Sequence, residues 1–132
     1  MTRASASASI IGMPVPRAKL APRLRVTLGS EIALGPGKAE LLGLIASKGS
    51  IRAAALQMDM SYNRAWTLVR EMNGLFRKPL VVSLRGGGTG GGATLTPTGA
   101  RVLRLYGIME RDCHRAVERE WKSLRALLRT LA

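Results

Sequence analysis

A mainly α-helical winged helix-turn-helix with small β-hairpins and a long C-terminal dimerisation helix is the fold class this sequence predicts. Three observations predict it. Two helical segments meet at a tight turn, and the second opens on a serine and is apolar along one side. A strand, a glycine loop and a return strand follow directly. A last helical stretch then carries an apolar stripe longer than the head before it can cover.

The chain has 132 residues, a length that suits one domain with short extensions. The expected organisation is a basic Ala/Ser/Pro arm over 1–22, expected to be disordered, a DNA-binding head over 23–96 and a helix over 97–132. Lys and Arg number 21 against 8 Asp and Glu, giving a net charge of +13. The excess is +4 over 1–35, +1 over 36–60, +4 over 61–85 and +4 over 86–132. Charge spread in this way predicts a polyanionic partner, with nucleic acid ahead of an anionic membrane face. A hydrophobic fraction of 46% argues against a wholly disordered basic chain. No apolar run reaches the roughly 18 residues of a membrane span, and no compact apolar segment near the start resembles a secretory signal. One Cys and one His leave no internal disulfide and no ordinary zinc site. These counts predict a cytoplasmic, nucleoid-associated protein without a cofactor or metal.

From Arg23, the apolar residues Leu24, Val26 and Leu28 alternate with Arg25 and Thr27, which predicts a short strand with one apolar face. Gly29-Ser30 turns it towards Ile32 and Leu34. Gly35-Pro36-Gly37 opens a first helix, with Leu41, Leu44 and Ile45 as its stripe and Leu42 on the flank; Lys48-Gly49 closes it. Ser50 caps a second helix that turns Ile51, Ala54, Ala55 and Met58 inward. The small pair Ala54-Ala55 lets another helix approach. After the tight Asp59-Met60 connection, Ser61 caps a third helix running to about Phe76. Its residues Ala65, Leu68, Val69, Met72, Leu75 and Phe76 fall within one arc at 100° per residue. Pro79 ends it. A strand over 80–85, six glycines in the seven residues 86–92 and a return strand Ala93-Thr94-Leu95 make the wing. Thr96-Pro97 starts the last helix.

The glycine loop does not fit a nucleotide site, because no Lys-Ser/Thr follows it and a strand rather than a helix comes next. As a wing tip it lets backbone approach DNA phosphates. On the third helix, the predicted recognition helix 61–76, Asn63, Thr67 and Arg70 lie opposite the apolar arc. Tyr62 and Trp66 stand on one flank and Arg64 on the other. In a major groove Asn63 would suit adenine and Arg70 guanine. Trp66 either covers the edge of the core or touches DNA, and Tyr62, nearer the apolar arc, is expected to pack with its hydroxyl turned to a phosphate. Candidate phosphate contacts are Lys48, Ser50 and Arg52 at the start of the second helix, Ser61, Arg85 at the base of the wing, and Thr89 within it (wing 85–93). Arg3, Arg17 and Lys19 of the arm could reach a minor groove.

The last helix is predicted from Pro97 to about Thr130, some 50 Å at about 1.5 Å per residue, with Gly107 as the place where it would bend. Val102, Leu105, Met109, Cys113, Ala116, Val117, Trp121 and Leu124 form its stripe, continued by Leu127, Leu128 and Leu131. Pairing with its copy gives a two-fold homodimer. Cys113 is read as a small buried hydrophobe. Glu110, Asp112, Glu118 and Glu120, interleaved with Arg111, Arg115 and Arg119, read as a solvated ion-paired face rather than an acid–base pair. His114 is expected to face solvent. No nucleophile–base set is present, so an enzyme is not predicted.

Several residue groups together resemble the DNA-binding domain of the molybdate-responsive transcription regulators, ModE, which is itself close to the LysR-type winged helix. They are Ser47-Lys48-Gly49-Ser50-Ile51, Ser61-Tyr62 with Ala65-Trp66, Glu71-Met72-Asn73, Pro79-Leu80-Val81, Gly91-Gly92-Ala93, Leu95-Thr96 and Gly99. The likeness covers about residues 23–125. It implies a bacterial, dimeric, sequence-specific regulator whose third helix enters the major groove and whose last helix forms the dimer interface. Its targets would include molybdate-related genes. Family members carry further molybdate-binding domains, and within these 132 residues no molybdate site is expected. Two other readings are a non-specific nucleoid-type DNA binder and a protein–protein adaptor built on the same fold.

Overall fold

The computed structural model describes residues 16–84 and 91–129. The chain divides into two units, Arg23–Arg111 and a second that groups residues up to Pro22 with those from Asp112 onward.

In the first unit, strands β1 (Val26–Leu28) and β2 (Glu31–Leu34) form an antiparallel hairpin. Helices α1 (Pro36–Lys48), α2 (Ile51–Gln57) and α3 (Tyr62–Leu75) follow, and then a second antiparallel pair, β3 (Val81–Leu84) and β4 (Gly92–Leu95). The register of that pair runs from Val81 opposite Leu95 to Leu84 opposite Gly92. Helix α4 spans Pro97–Ala116, and its first fifteen residues belong to this unit.

The helix boundaries follow from local chemistry. Pro36 occupies the first turn of α1, where a missing N–H costs nothing. Gly49 ends α1 at φ +80°, a left-handed conformation that glycine adopts without strain, and its N–H donates to the Ile45 carbonyl at 2.9 Å. The Ser50 hydroxyl accepts from the Ala53 N–H and the Ser61 hydroxyl from the Arg64 N–H, both at 3.0 Å. Four residues join α2 to α3. Asp59 among them takes φ +57°. The Asp59 N–H donates to Leu56 at 3.1 Å and the Met60 N–H to Ala55 at 3.0 Å, so α2 closes in a Schellman motif with aspartate where glycine is usual.

The core joins the three helices to both strand pairs. Leu41, Leu42 and Ile45 of α1 are fully buried, with Ala54 of α2 and Ala65, Val69 and Met72 of α3. Leu80, Val81 and Ala93 complete it from the second hairpin. On α1 the burial differs from expectation: Leu42 is fully buried and Leu44 only half-buried, because α2 and β4 pack on the Leu42 side as well. Asn73 acts as a substitute strand edge. Its carboxamide oxygen accepts from Leu80 N–H (2.8 Å) and Val81 N–H (3.2 Å), while its NH₂ donates to the Val81 carbonyl (3.0 Å). Thr96 donates its hydroxyl to the Pro79 carbonyl (2.7 Å) and accepts from Gly99 N–H (2.9 Å), which caps α4. Gly99 lies so close to the Leu80 carbonyl that a β-carbon there would overlap it.

The apolar side of the first hairpin is largely open: Val26 is exposed and Leu28 is 56% exposed, while Leu24, before β1, is half-buried against the core. The core closes under β2 through Ala33 and Leu34. One expectation needs correction: the last helix is not continuous to residue 130. It breaks at Val117, with φ −107° and ψ 14°, and resumes as α5 (Glu118–Arg125). Gly107, the expected bend, lies inside α4. At Val117 a β-branched residue poorly suited to a helix interior meets Glu118 and Glu120, acids that favour a new first turn.

In the second unit, Arg115 pairs with Asp112 at 3.7 Å and Lys122 with Glu118 at 3.9 Å, on exposed surface. The Arg125 guanidinium lies 6.0 Å from the centre of the Trp121 indole. Cys113 and His114 are half-buried, so the histidine is less open to solvent than its charged neighbourhood suggests.

Candidate nucleic-acid interface

Burial fixes how α3 is rotated. Ala65, Leu68, Val69 and Met72 point into the core, which leaves the opposite face outward. Asn63 and Arg70 are exposed there and Thr67 is half-buried. Among the described residues, no hydrogen bond or ion pair takes up the Asn63 carboxamide or the Arg70 guanidinium. The Thr67 hydroxyl donates to the Asn63 carbonyl at 2.9 Å, so towards any partner it offers a lone pair rather than a proton.

The flanks of α3 behave differently from each other. Trp66 is half-buried against the core, which favours the edge-covering role of the two that its position allowed. Tyr62, expected to pack beside the apolar arc, is instead exposed, and the Arg52 guanidinium lies over its ring, 4.5 Å from the centroid. This ties the first turn of α2 to the first residue of α3. Arg52 therefore has a partner within the chain as well as an exposed position. Ser50 and Ser61 spend an oxygen lone pair on capping but keep their hydroxyl protons for an acceptor such as a phosphate. Lys48 is exposed in the last turn of α1. On the other flank are Arg64, exposed, and Glu71, which pairs with Lys38 of α1 at 3.2 Å. The Lys38 ammonium also donates to the Ile32 carbonyl, and with only 11% of its side chain exposed it is part of the fold. Arg85 and Thr89 lie outside the described residues, as does Arg3; Arg17 and Lys19 are exposed.

The predicted dimer stripe is divided. Val102 is half-buried against its own core, beside Leu103 and near the buried Tyr106. The sequence stripe missed Tyr106, whose hydroxyl donates to the Leu24 carbonyl at 2.7 Å. The core-facing arc of α4 runs through Gly99, Val102, Leu103 and Tyr106, displaced around the helix from the stripe expected. Leu105 (45% exposed), Met109 (44%) and Ile108 lie outside that arc. Ile108 was likewise missed, and its three-residue spacing from Leu105 is the signal that could have found it. In the second unit Ala116, Val117, Leu124, Leu127 and Leu128 are exposed and Trp121 is half-buried.

Arg23 and Arg25 were not among the candidates, yet they line an open cavity of about 540 Å³ beside α3, together with Arg64. Their alternation with Leu24 and Val26 was the available signal, since alternation in an extended chain sets both arginines on one side, although both precede β1.

Among the described residues no three His, Cys, Asp or Glu are grouped as a metal site would need, and no helix is long and apolar enough to cross a membrane.

A surface of this kind, with cations and a free carboxamide on a helix braced by a second short helix, defines a candidate DNA-reading module. The chain is similar to several known proteins. The chain is 40% identical over 91 residues to the molybdenum-pterin-binding protein MopB of Rhodobacter capsulatus, covering 69% of this chain and 34% of that protein. It is 37% identical over 97 residues to the molybdenum transport protein ModE of Azotobacter vinelandii, covering 72% and 36%. With the DNA-binding transcriptional dual regulator ModE of Escherichia coli K12 it shares 38% over 86 residues, covering 65% and 33%. The chain spans about a third of the length of the curated relatives it matches. No family model matches it.

Proposed function

We propose that this chain is a winged helix-turn-helix of the ModE type, a sequence-specific DNA-binding transcription regulator that acts as a homodimer on molybdenum-related genes. In this reading α2 and α3 form the helix-turn-helix, α3 enters the major groove, and the loop between β3 and β4 is the wing, on the backbone or minor groove. The observation that carries it is the outward face of α3, where Asn63 and Arg70 are exposed and, among the described residues, have no side-chain hydrogen bond or ion pair, while the opposite side of the helix is sealed in the core. Free donors on a rigid helix are what base-edge recognition requires. The similarity to a DNA-binding regulator over this same part of the chain supports it. Ser50, Arg52, Ser61, Tyr62 and Arg64 take phosphate or flanking contacts, with Arg85 and Thr89 in the wing. Two copies pair through the last helix, so that two α3 helices meet successive major grooves of an inverted repeat.

Binding to a selected operator and to unrelated duplex, with and without competitor, tests the reading. Arg70→Ala should reduce discrimination by about 1–3 kcal/mol, chiefly by weakening operator binding. Equal loss on both duplexes would remove Arg70 from base recognition. Affinity that never distinguishes the two sequences would favour a nucleoid-type binder.

A further inference from the structure

We infer that the groove between the first hairpin and α3 is a second track for the DNA phosphate backbone, with Arg23 and Arg25 as contacts alongside Arg64. The inference rests on the reading of α3 as the DNA-facing helix and extends the interface to the chain that precedes α1.

The groove is the cavity of about 540 Å³ already noted, walled by the hairpin, the first turn of α1 and the Arg64–Leu68–Glu71 flank of α3. Its charges are unequal in kind. Lys38 and Glu71 neutralise each other across it. Arg23, Arg25 and Arg64 form no ion pair among the described residues, against the single further carboxylate of Glu31 at the hairpin turn. Three exposed guanidiniums facing one carboxylate leave a surplus of positive charge, and each guanidinium can fork onto a phosphate. Because Arg64 lies on α3 itself, directly after Asn63 in the chain, the groove adjoins the candidate interface.

The arginines are also held in place. Tyr106 is buried in α4, 82 residues further along the chain, and its hydroxyl donates to the carbonyl of Leu24, the residue between Arg23 and Arg25. That bond fixes the backbone from which both guanidiniums extend. A tether to the core lowers the entropy lost when a side chain meets a phosphate, and a loose basic tail has no such advantage.

Salt dependence of DNA binding separates this surface from base readers. Each phosphate contact removed should reduce the slope of log K against log salt by about 0.9. Each copy in the homodimer carries both arginines, so Arg23→Gln with Arg25→Gln should lower the slope by about 3.6, with equal loss on operator and unrelated duplex. The Arg23→Lys, Arg25→Lys pair should restore most of it, and Arg104→Gln, on the outward side of α4, should leave it unchanged. A double Gln variant with the unaltered wild-type slope overturns the inference, and so does one that loses discrimination between sequences. Wild-type protein that binds no duplex would instead defeat the underlying DNA-binding reading.

Discussion

The guanidinium of Arg52 lies over the ring of Tyr62, 4.5 Å from its centroid, and so couples the start of α2 to the start of α3. An Arg–aromatic contact at an exposed site contributes about 0.5–1 kcal/mol. A double-mutant cycle of Arg52→Ala and Tyr62→Ala should return a coupling of that size in urea unfolding, and Tyr62→Phe should retain it. Arg52→Ala should also weaken operator and unrelated DNA alike. Strictly additive stabilities would show that the stack contributes nothing in solution.

Asp59 stands at φ +57°, where the Schellman closure of α2 calls for a residue without a β-carbon. A left-handed backbone costs an ordinary L-residue about 1–2 kcal/mol, and aspartate somewhat less. Asp59→Gly should thus stabilise the fold by up to about 1 kcal/mol, the entropy of a freer unfolded chain offsetting part of the gain. Asp59→Val should lose about 1–2 kcal/mol. Urea midpoints at constant m-value measure both, and a destabilised Asp59→Gly would contradict the role assigned to the turn.

Tyr106 links stability to alkaline pH. Burial, and then the neighbouring Glu110 carboxylate, push its phenol upward, against a smaller opposing influence of Arg23 and Arg25. A raised value in the folded state means that the native protein holds this proton more tightly than the unfolded chain. The stabilisation is whole below the ordinary tyrosine value of about 10 and is lost as pH rises through the higher folded value. Wild-type stability should fall above pH about 10 as the phenol begins to ionise. Tyr106→Phe should be less stable at neutral pH by about 1–3 kcal/mol, because the Leu24 carbonyl loses its donor, and its alkaline decline should be shallower. Melting temperature against pH for both proteins is the measurement; parallel curves would rule out Tyr106 as the source.

Most of the helical framework was legible because it depends on local signals. Ser50 and Ser61 cap where a serine before an apolar period should, and Ala65, Val69 and Met72 are buried where a 3.6-residue repeat places them. The failures share one cause, which is that burial on a face depends on what else reaches it. Leu24, Val26 and Leu28 alternate correctly for a strand, yet the core closes beneath β2 only. Val102 matched the exposed stripe of the last helix, but Gly99 brings α4 against Leu80 and rotates Val102 towards the core with Leu103 and Tyr106. The hydrogen bond from Tyr106 to Leu24 joins residues far apart in sequence, and no periodicity announces it. On the candidate interface, Asn63 and Arg70 could be read from their helical angle. The alternation of Arg23 and Arg25 with Leu24 and Val26 was visible as well, but that the hairpin sets them beside α3 was not.

Leu105, Ile108 and Met109 present an apolar patch on α4 that its own unit does not cover, and the proposed dimer would use it. Such a face tends to associate when paired with its copy. Light scattering of the wild-type protein at micromolar concentration should give twice the chain mass. Leu105→Glu with Met109→Glu should give the single-chain mass while keeping the helical circular-dichroism spectrum, because neither residue belongs to the core. The paired variant should lose most of its affinity for an inverted repeat, whose half-sites lie about 34–36 Å or a multiple apart, yet bind an isolated half-site as the wild type does. That contrast isolates association from folding and from base contact. A wild-type monomer that still prefers the full repeat would place the dimer contact elsewhere and leave the exposed side of α4 without the role assigned to it.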